Sequence, residues 1–219
     1  GNLVDMHIPE WNPEFLQAID AEQYAALLEK AGVNAAYLYA SSCLGLCYWP
    51  TRVGHPHAGL KGRDFVGDRI RACRARGMAV ILYHNWWSKW AYDKHPDWRF
   101  VNARGMGTAE YMWRSNRYGV CCLNSPYADF FLAQIEELCR SYDFEGLWID
   151  MIAWPYSVCF CGHCRRRYRE ETGRELPRVV NWEDPLWVSF QRRREAWLAE
   201  LLARVTATAR RLKPGVTVG

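Results

Sequence analysis

The residue best placed to do chemistry in this chain is Asp150. It closes the apolar run Gly146-Leu147-Trp148-Ile149-Asp150, which reads as a buried strand followed by Met151. A carboxylate at the end of such a strand costs free energy unless it is paired or used. In a parallel α/β barrel that end opens onto the mouth where active sites sit. There a carboxylate can serve as nucleophile or general base. The plainer alternative is an Asp that caps a turn or braces a loop.

Other residues leave predicted strand ends in the same direction. His7 and Glu10 follow the first strand in Asp5-Met6-His7-Ile8-Pro9-Glu10-Trp11. Tyr39 ends the second. His84, Asn85, Trp86 and Trp87 leave the third. Imidazole and amide groups bond hydroxyls, and indoles stack on the apolar faces of sugar rings. Around one mouth, these residues would form a saccharide-binding set beside Asp150. Asp5 serves equally well as a brace between strands. Glycoside hydrolysis usually needs a second carboxylate, for which Glu10, Asp93, Glu110 and Asp184 all lie on suitable loops.

Cys159-Phe160-Cys161-Gly162-His163-Cys164 is a compact cluster of soft ligands. Three thiolates at this spacing suit a structural zinc held by four cysteines, or by three cysteines and one histidine. The fourth ligand would come from His163, Cys121 or Cys122, with Cys122 the working choice. A disulfide plus a free thiol, or three reduced thiols, would also account for the spacing. Four protein ligands leave no open position, so such a site would pin the loop beside Asp150 rather than catalyse. His55-Pro56-His57 offers two further nitrogens, but a lone pair of this kind more often shapes a loop. Cys43, Cys47, Cys73 and Cys139 sit in apolar or helical contexts and read as small core residues.

The elements that must position these groups alternate along the chain. Residues 3–8 read as a strand, and a loop from 9 to 13 follows. Asp20 caps a helix with Gln23 as its capping-box partner. Tyr24, Leu27, Leu28 and Ala31 give that helix an apolar stripe, and Gly32 closes it. A strand over 33–40, a helix over 64–76 and a strand over 78–83 come next. A helix opens at Ser125-Pro126, with Phe131, Ile135, Leu138, Cys139 and Tyr142 as its buried stripe. A strand over 144–151, a helix over 189–212 and a short strand over 216–218 complete the series. Long loops over 41–62, 84–120 and 152–186 each follow a strand, whereas helix-to-strand connections are short. That asymmetry favours a (β/α)8 TIM barrel over an open doubly wound sheet, and no G-x-G-x-x-G follows the first strand. A full barrel needs about 250 residues, so residues 1–219 read as the N-terminal half, about four and a half β/α units, of one barrel domain. The absence of an initiator Met agrees with a piece of a longer chain. The remaining barrel half, or self-association, is the expected partner.

Composition narrows the classes. The chain has 219 residues, half of them hydrophobic, enough for one core. Twelve Trp and twelve Tyr exceed what a core requires and suit flat surfaces in a cleft. The net charge of +4 comes largely from Arg165, Arg166, Arg167, Arg169, Arg192, Arg193 and Arg194. With Glu170, Glu171 and Glu195 nearby, these read as a solvated helix face, not a nucleic-acid stripe. No apolar run reaches membrane-spanning length.

The motifs also carry a resemblance. Tyr48-Trp49-Pro50-Thr51, Gly54-His55-Pro56-His57, Leu60-Lys61-Gly62-Arg63-Asp64, His95-Pro96-Asp97-Trp98, Cys122-Leu123-Asn124-Ser125-Pro126-Tyr127 and the run ending in Asp150 resemble, in order, a group of bacterial hypothetical glycosyl hydrolases. That group is similar to the alpha-L-fucosidase family. The resemblance implies a retaining glycosidase acting on a terminal sugar, with Asp150 of Trp148-Ile149-Asp150 as nucleophile and His7 and His84 as sugar contacts. The cysteine cluster resembles that of beta-galactosidases with a trimerisation domain, in which an upstream Cys completes a zinc site. Those enzymes carry Asn-Glu at the end of the fourth strand, where this chain has Asp150-Met151. The alternative from a different class is a non-catalytic carbohydrate-binding barrel.

Overall fold

A computed structural model describes residues 1–12, 14–112, 117–155 and 157–219. Pro13, the end of the first predicted loop, lies outside them.

The strands are β1 (Asn2–Leu3), β2 (Ala35–Tyr39), β3 (Leu46–Cys47), β4 (His55–Pro56), β5 (Ala79–Asn85), β6 (Gly146–Asp150) and β7 (Thr217–Val218). The helices are α1 (Ala21–Lys30), α2 (Phe65–Arg74), α3 (Lys89–Lys94), α4 (Thr108–Tyr111), α5 (Tyr127–Ser141), α6 (Gly162–Thr172) and α7 (Pro185–Leu212). Five strands form one parallel sheet in the order β1-β2-β5-β6-β7, and β3 pairs with β4 in a small separate sheet. The large sheet runs in chain order without reversal, so it has no switch point of the doubly wound kind.

Local chemistry explains the element boundaries. The Asp20 carboxylate accepts the Gln23 amide at the start of α1, and Asp64 accepts the Gly67 amide at the start of α2. Gly32 and Gly77 follow α1 and α2 at φ 71° and 72°, a region where a Cβ would be strained. Pro185 occupies the first turn of α7 behind the Asp184 cap.

Parity along the strands separates two environments. Ala36, Leu38, Val80, Leu82, Leu147 and Ile149 are buried toward the helical layer. Tyr37, Tyr39, Ile81, Tyr83, Trp148 and Asp150 share the other face, as their ring contacts and pairing register require. On that face Gly146 sits so close to Ile81 and Thr217 that a Cβ would meet each at 2.9 Å. In the helical layer α1 packs on α2 and α5 on α7.

Several expectations are corrected. The first strand pairs only at Asn2–Leu3, not over 3–8, because β2 offers partners only to those two residues. The buried face of α1 is Ala21, Ala25 and Leu28, and Leu27 is 61% exposed. The three long loops are not bare. The first holds β3 and β4, the second α3 and α4, and the third α6. No helix of the described residues is long and apolar enough to cross a membrane.

Candidate functional site

The sheet face that carries Tyr39 and Tyr83 also carries Asp150. Its Oδ2 accepts the Tyr83 hydroxyl at 2.5 Å and the Asn85 amide at 3.4 Å. Asn85 also donates to the Tyr83 oxygen at 2.7 Å, and its own Oδ1 accepts the Trp87 backbone N–H at 2.8 Å. That last bond fixes which way the Asn85 amide points. Oδ1 of Asp150 has no hydrogen-bond partner among the described residues. The carboxylate is thus held by one oxygen and open at the other.

The next residue, Met151, turns the chain at φ 61°. A left-handed non-glycine residue costs about 1–3 kcal/mol and concentrates at functional sites. Here it turns the backbone sharply as it leaves the strand.

A second carboxylate faces the same mouth. The Tyr39 hydroxyl donates to Asp5 at 3.0 Å, and the Tyr39 and Tyr83 rings stack at 3.9 Å. Asp5 and Asp150 are therefore joined through two stacked phenols. Burial first, then the hydrogen bonds to the carboxylates, raises both phenols above the ordinary range. Both remain donors at neutral pH. His7 accepts the Cys43 backbone N–H on Nδ1 at 3.1 Å, so the neutral ring carries its proton on Nε2, 3.6 Å from Asp5. Burial lowers its pKa against the pull of Asp5. Behind this face the fully buried Arg69 donates to the Tyr39 carbonyl at 2.9 Å and lies over Phe65. Burial lowers its pKa to about 10.

Asp150, Asn85, Tyr39 and His7 are brought together, with Trp87 half-buried beside Asn85 and edge-on to Tyr118. His84 and Trp86 are not. Parity turns His84 to the helical side, where it bonds Ser41 at 2.7 Å and Gln134 at 3.2 Å and stacks on Phe131. Trp86 is 1% exposed and packs on Tyr127 and Phe131. Neither side chain can meet a sugar from there. Glu10 is engaged with the Ala58 amide and His55. The other proposed second carboxylates serve local structure: Asp93 pairs with Lys89, Glu110 caps α4 and Asp184 caps α7. Sequence reasoning passed over Tyr83, whose role depends on strand register.

Buried His84 yields a prediction. Desolvation holds its pKa at about 3, below the unfolded value of about 6.5. Between those limits the unfolded chain binds the extra proton, so its contribution is complete above pH 6.5 and is lost as pH falls toward 3. Denaturant titrations from pH 7 to 4 should show this loss at up to about 1.4 kcal/mol per pH unit. A His84→Gln variant should lack that component, and identical slopes for the two proteins would refute the assignment.

Cys122, Cys159, Cys161 and Cys164 bring four buried sulfurs within 4.8 Å of one another. All nine cysteines are free thiols, so the disulfide alternative is overturned. The fourth member is Cys122; His163 instead faces Arg166. Backbone and side-chain N–H groups of Asn124 and the Cys164 N–H point at the sulfurs at 3.3–3.4 Å. Thiol hydrogen bonds from its three neighbours hold Cys161 far below the usual thiol range, while burial pushes Cys122 far above it. A cluster so crowded favours a cation that would ionise all four, and this group can hold a metal ion.

The chain matches the family described as Hypothetical glycosyl hydrolase 6 over residues 20–151. The chain belongs to that family. No curated protein matches it in sequence. Among solved structures, alpha-L-fucosidase isoenzyme 2 from Paenibacillus thiaminolyticus superposes with a TM-score of 0.79 at 23% identity, covering 99% of this chain and 31% of that one. Isoenzyme 1 from the same organism gives 0.54 at 22% identity, covering 92% and 38%. An alpha-L-fucosidase from Bacteroides thetaiotaomicron gives 0.52 at 17% identity, covering 95% and 34%. At these identities the likeness is one of fold. This Hypothetical glycosyl hydrolase 6 member spans about a third of the length of the fucosidases it resembles.

Proposed function

We propose that this chain carries the nucleophile half of a retaining, fucosidase-like glycosidase, with Asp150 attacking the anomeric carbon of a terminal sugar. The carrying observation is the Asp150 carboxylate, fixed through Oδ2 by Tyr83 and Asn85 and open at Oδ1. Two donors on one oxygen keep the group oriented for attack without exhausting its lone pairs. Family membership and the fucosidase fold support the same reading. His7, as a neutral Nε2–H donor, and Tyr39 would bond sugar hydroxyls, and Trp87 would offer a ring face.

The reading includes a (β/α)8 barrel completed by further chain. The chain-order sheet leaves β1 and β7 with open outer edges among the described residues. Val4, Trp11, Phe15 and Leu27 are exposed on the β1 and α1 side. Open edges and apolar surface of this kind need cover. The acid/base carboxylate then comes from that further chain or from Asp5.

Cys122, Cys159, Cys161 and Cys164 would hold a zinc ion as a closed structural site. Zinc there supplies rigidity, and the chain's own part is to present four sulfurs and the Asn124 and Cys164 N–H donors.

The full-length protein assayed on a panel of aryl glycosides, α-L-fucoside included, should turn over one of them. Inertness on every sugar, with glycan binding intact, would replace this reading by that of a carbohydrate-binding barrel.

A further inference from the structure

A cavity of about 890 Å³ lies away from the Asp150 carboxylate, lined by Asn102 and Arg104 after β5, Trp154 and Phe160 after β6, Trp182 and the first turns of α7. That is within the roughly 300–1,000 Å³ of small-molecule sites. Three indoles line it. Trp154 is half-buried, with the Arg194 guanidinium 4.7 Å from its ring. Trp187 is buried, and Trp182, edge-on to it at 6.2 Å, is 66% exposed.

The polar side of the cavity is built of donors. Trp187, Gln191 and Arg194 recur at helical spacing on one face of α7. Trp187 Nε1, Gln191 Nε2 and Arg194 Nε are all buried without a hydrogen-bond partner among the described residues. Buried donors left unpaired cost free energy, and three on one cavity wall need a common explanation. The rim repeats the pattern. Arg104 and Arg178 are exposed there, neither in an ion pair among the described residues, and Glu195 is the single carboxylate of the lining. Donors and cations over aromatic walls complement a guest rich in acceptors, with a negative charge and an apolar face.

We infer that this cavity is a second saccharide site, which takes a sugar unit bearing a carboxylate or a sulfate. The sugar ring stacks on Trp182, and the anionic group meets Arg104 and Arg178. The unpaired α7 donors lie just behind the wall, where the rest of the Arg194 guanidinium is held by Gln191 Oε1 at 2.5 Å and the Ser157 carbonyl at 2.7 Å. The cysteine cluster frames the site, because the Phe160 amide between Cys159 and Cys161 bonds the Val101 carbonyl at 2.8 Å and so ties the two walls together. The inference rests on the carbohydrate-directed reading of the chain but not on Asp150 as nucleophile.

The test uses the full-length protein as the Asp150→Asn variant, so that bound glycans are not cleaved. It is applied to an array of neutral, uronate-containing and sulfated oligosaccharides. Neutral glycans report the Asp150 site; acidic glycans are expected to bind in addition through this cavity, with the responding arm naming the anion. The added changes Trp182→Ala and Arg178→Ala, both at exposed positions, should each weaken that added binding roughly tenfold. Acidic glycans that bind no better than their neutral counterparts, acidic-glycan binding unmoved by both substitutions, or no binding of acidic glycans at all would overturn the inference. Loss of hydrolysis in the Asp150 variant is read separately and leaves this result untouched.

Discussion

Replacing Asp150 by Asn should lower kcat of the full-length enzyme by at least on the order of 10³-fold. The substitution is nearly isosteric. An amide oxygen at the Oδ2 position still accepts from Tyr83, so the hydrogen-bonded frame is retained while the attacking oxygen is replaced by a non-nucleophilic NH2 group. The melting temperature should move by only a few degrees and substrate affinity should stay close to wild type. Stopped assays on the responsive aryl glycoside, paired with thermal melts, measure both. Tyr83→Phe should cost less, about 10–100-fold, the value of one hydrogen bond to a charged group. An Asp150→Asn enzyme with wild-type kcat would remove Asp150 from the chemistry.

The second large effect is on stability. Cys161→Ser should abolish metal binding and lower the melting temperature by about 10–20 °C. Structural zinc contributes roughly 10–16 kcal/mol in small domains. Losing even a third of that, at about 2–4 °C per kcal/mol for a domain of this size, gives such a shift. The site ties three separate segments together: Cys122 ahead of α5, Cys159 and Cys161 in the loop after β6, and Cys164 in α6. Without the ion, the loop that follows Asp150 loses its tie to the segment ahead of α5. Elemental analysis should find one zinc per chain in the wild type and none in the variant. Chelation should lower the wild-type melting temperature to that of the variant. Wild-type protein free of metal, with a melting point insensitive to chelator, would contradict the assignment.

Much of the fold could be read from residue pattern alone. The caps at Asp20 and Asp64, the stops at Gly32 and Gly77, and the long apolar runs of β2, β5 and β6 are local signals that act within a few residues. Helix α6 escaped because Gly162–Thr172 has no apolar stripe. Only Cys164 and Tyr168 are buried, and its Arg residues pair outward, Arg167 with Glu171 at 2.8 Å. Its stability comes from the cysteine cluster at its N-terminus, a tertiary cause. The cysteine group itself was legible because three of its ligands are close in sequence, and only the choice of Cys122 required the fold.

The mouth was half legible. Composition pointed to the end of β5, but register decides which side chains reach Asp150. Pairing of Asn85 with Asp150 and of Tyr83 with Trp148 brings Tyr83 and Asn85 inward and sends His84 and Trp86 to the helices. Nothing in the string Tyr83-His84-Asn85-Trp86 states that parity. Asp5 is placed in the same way, through a partner, Tyr39, that lies one strand away.

The most direct test of the central claim is chemical rescue. Asp150→Gly protein is incubated with the responsive aryl glycoside and sodium azide, and the product is identified by nuclear magnetic resonance. If Asp150 is the nucleophile of a retaining enzyme, azide fills the vacated space, restores turnover and yields a glycosyl azide of inverted anomeric configuration. Turnover that azide does not restore, with free sugar as the only product, would contradict the account.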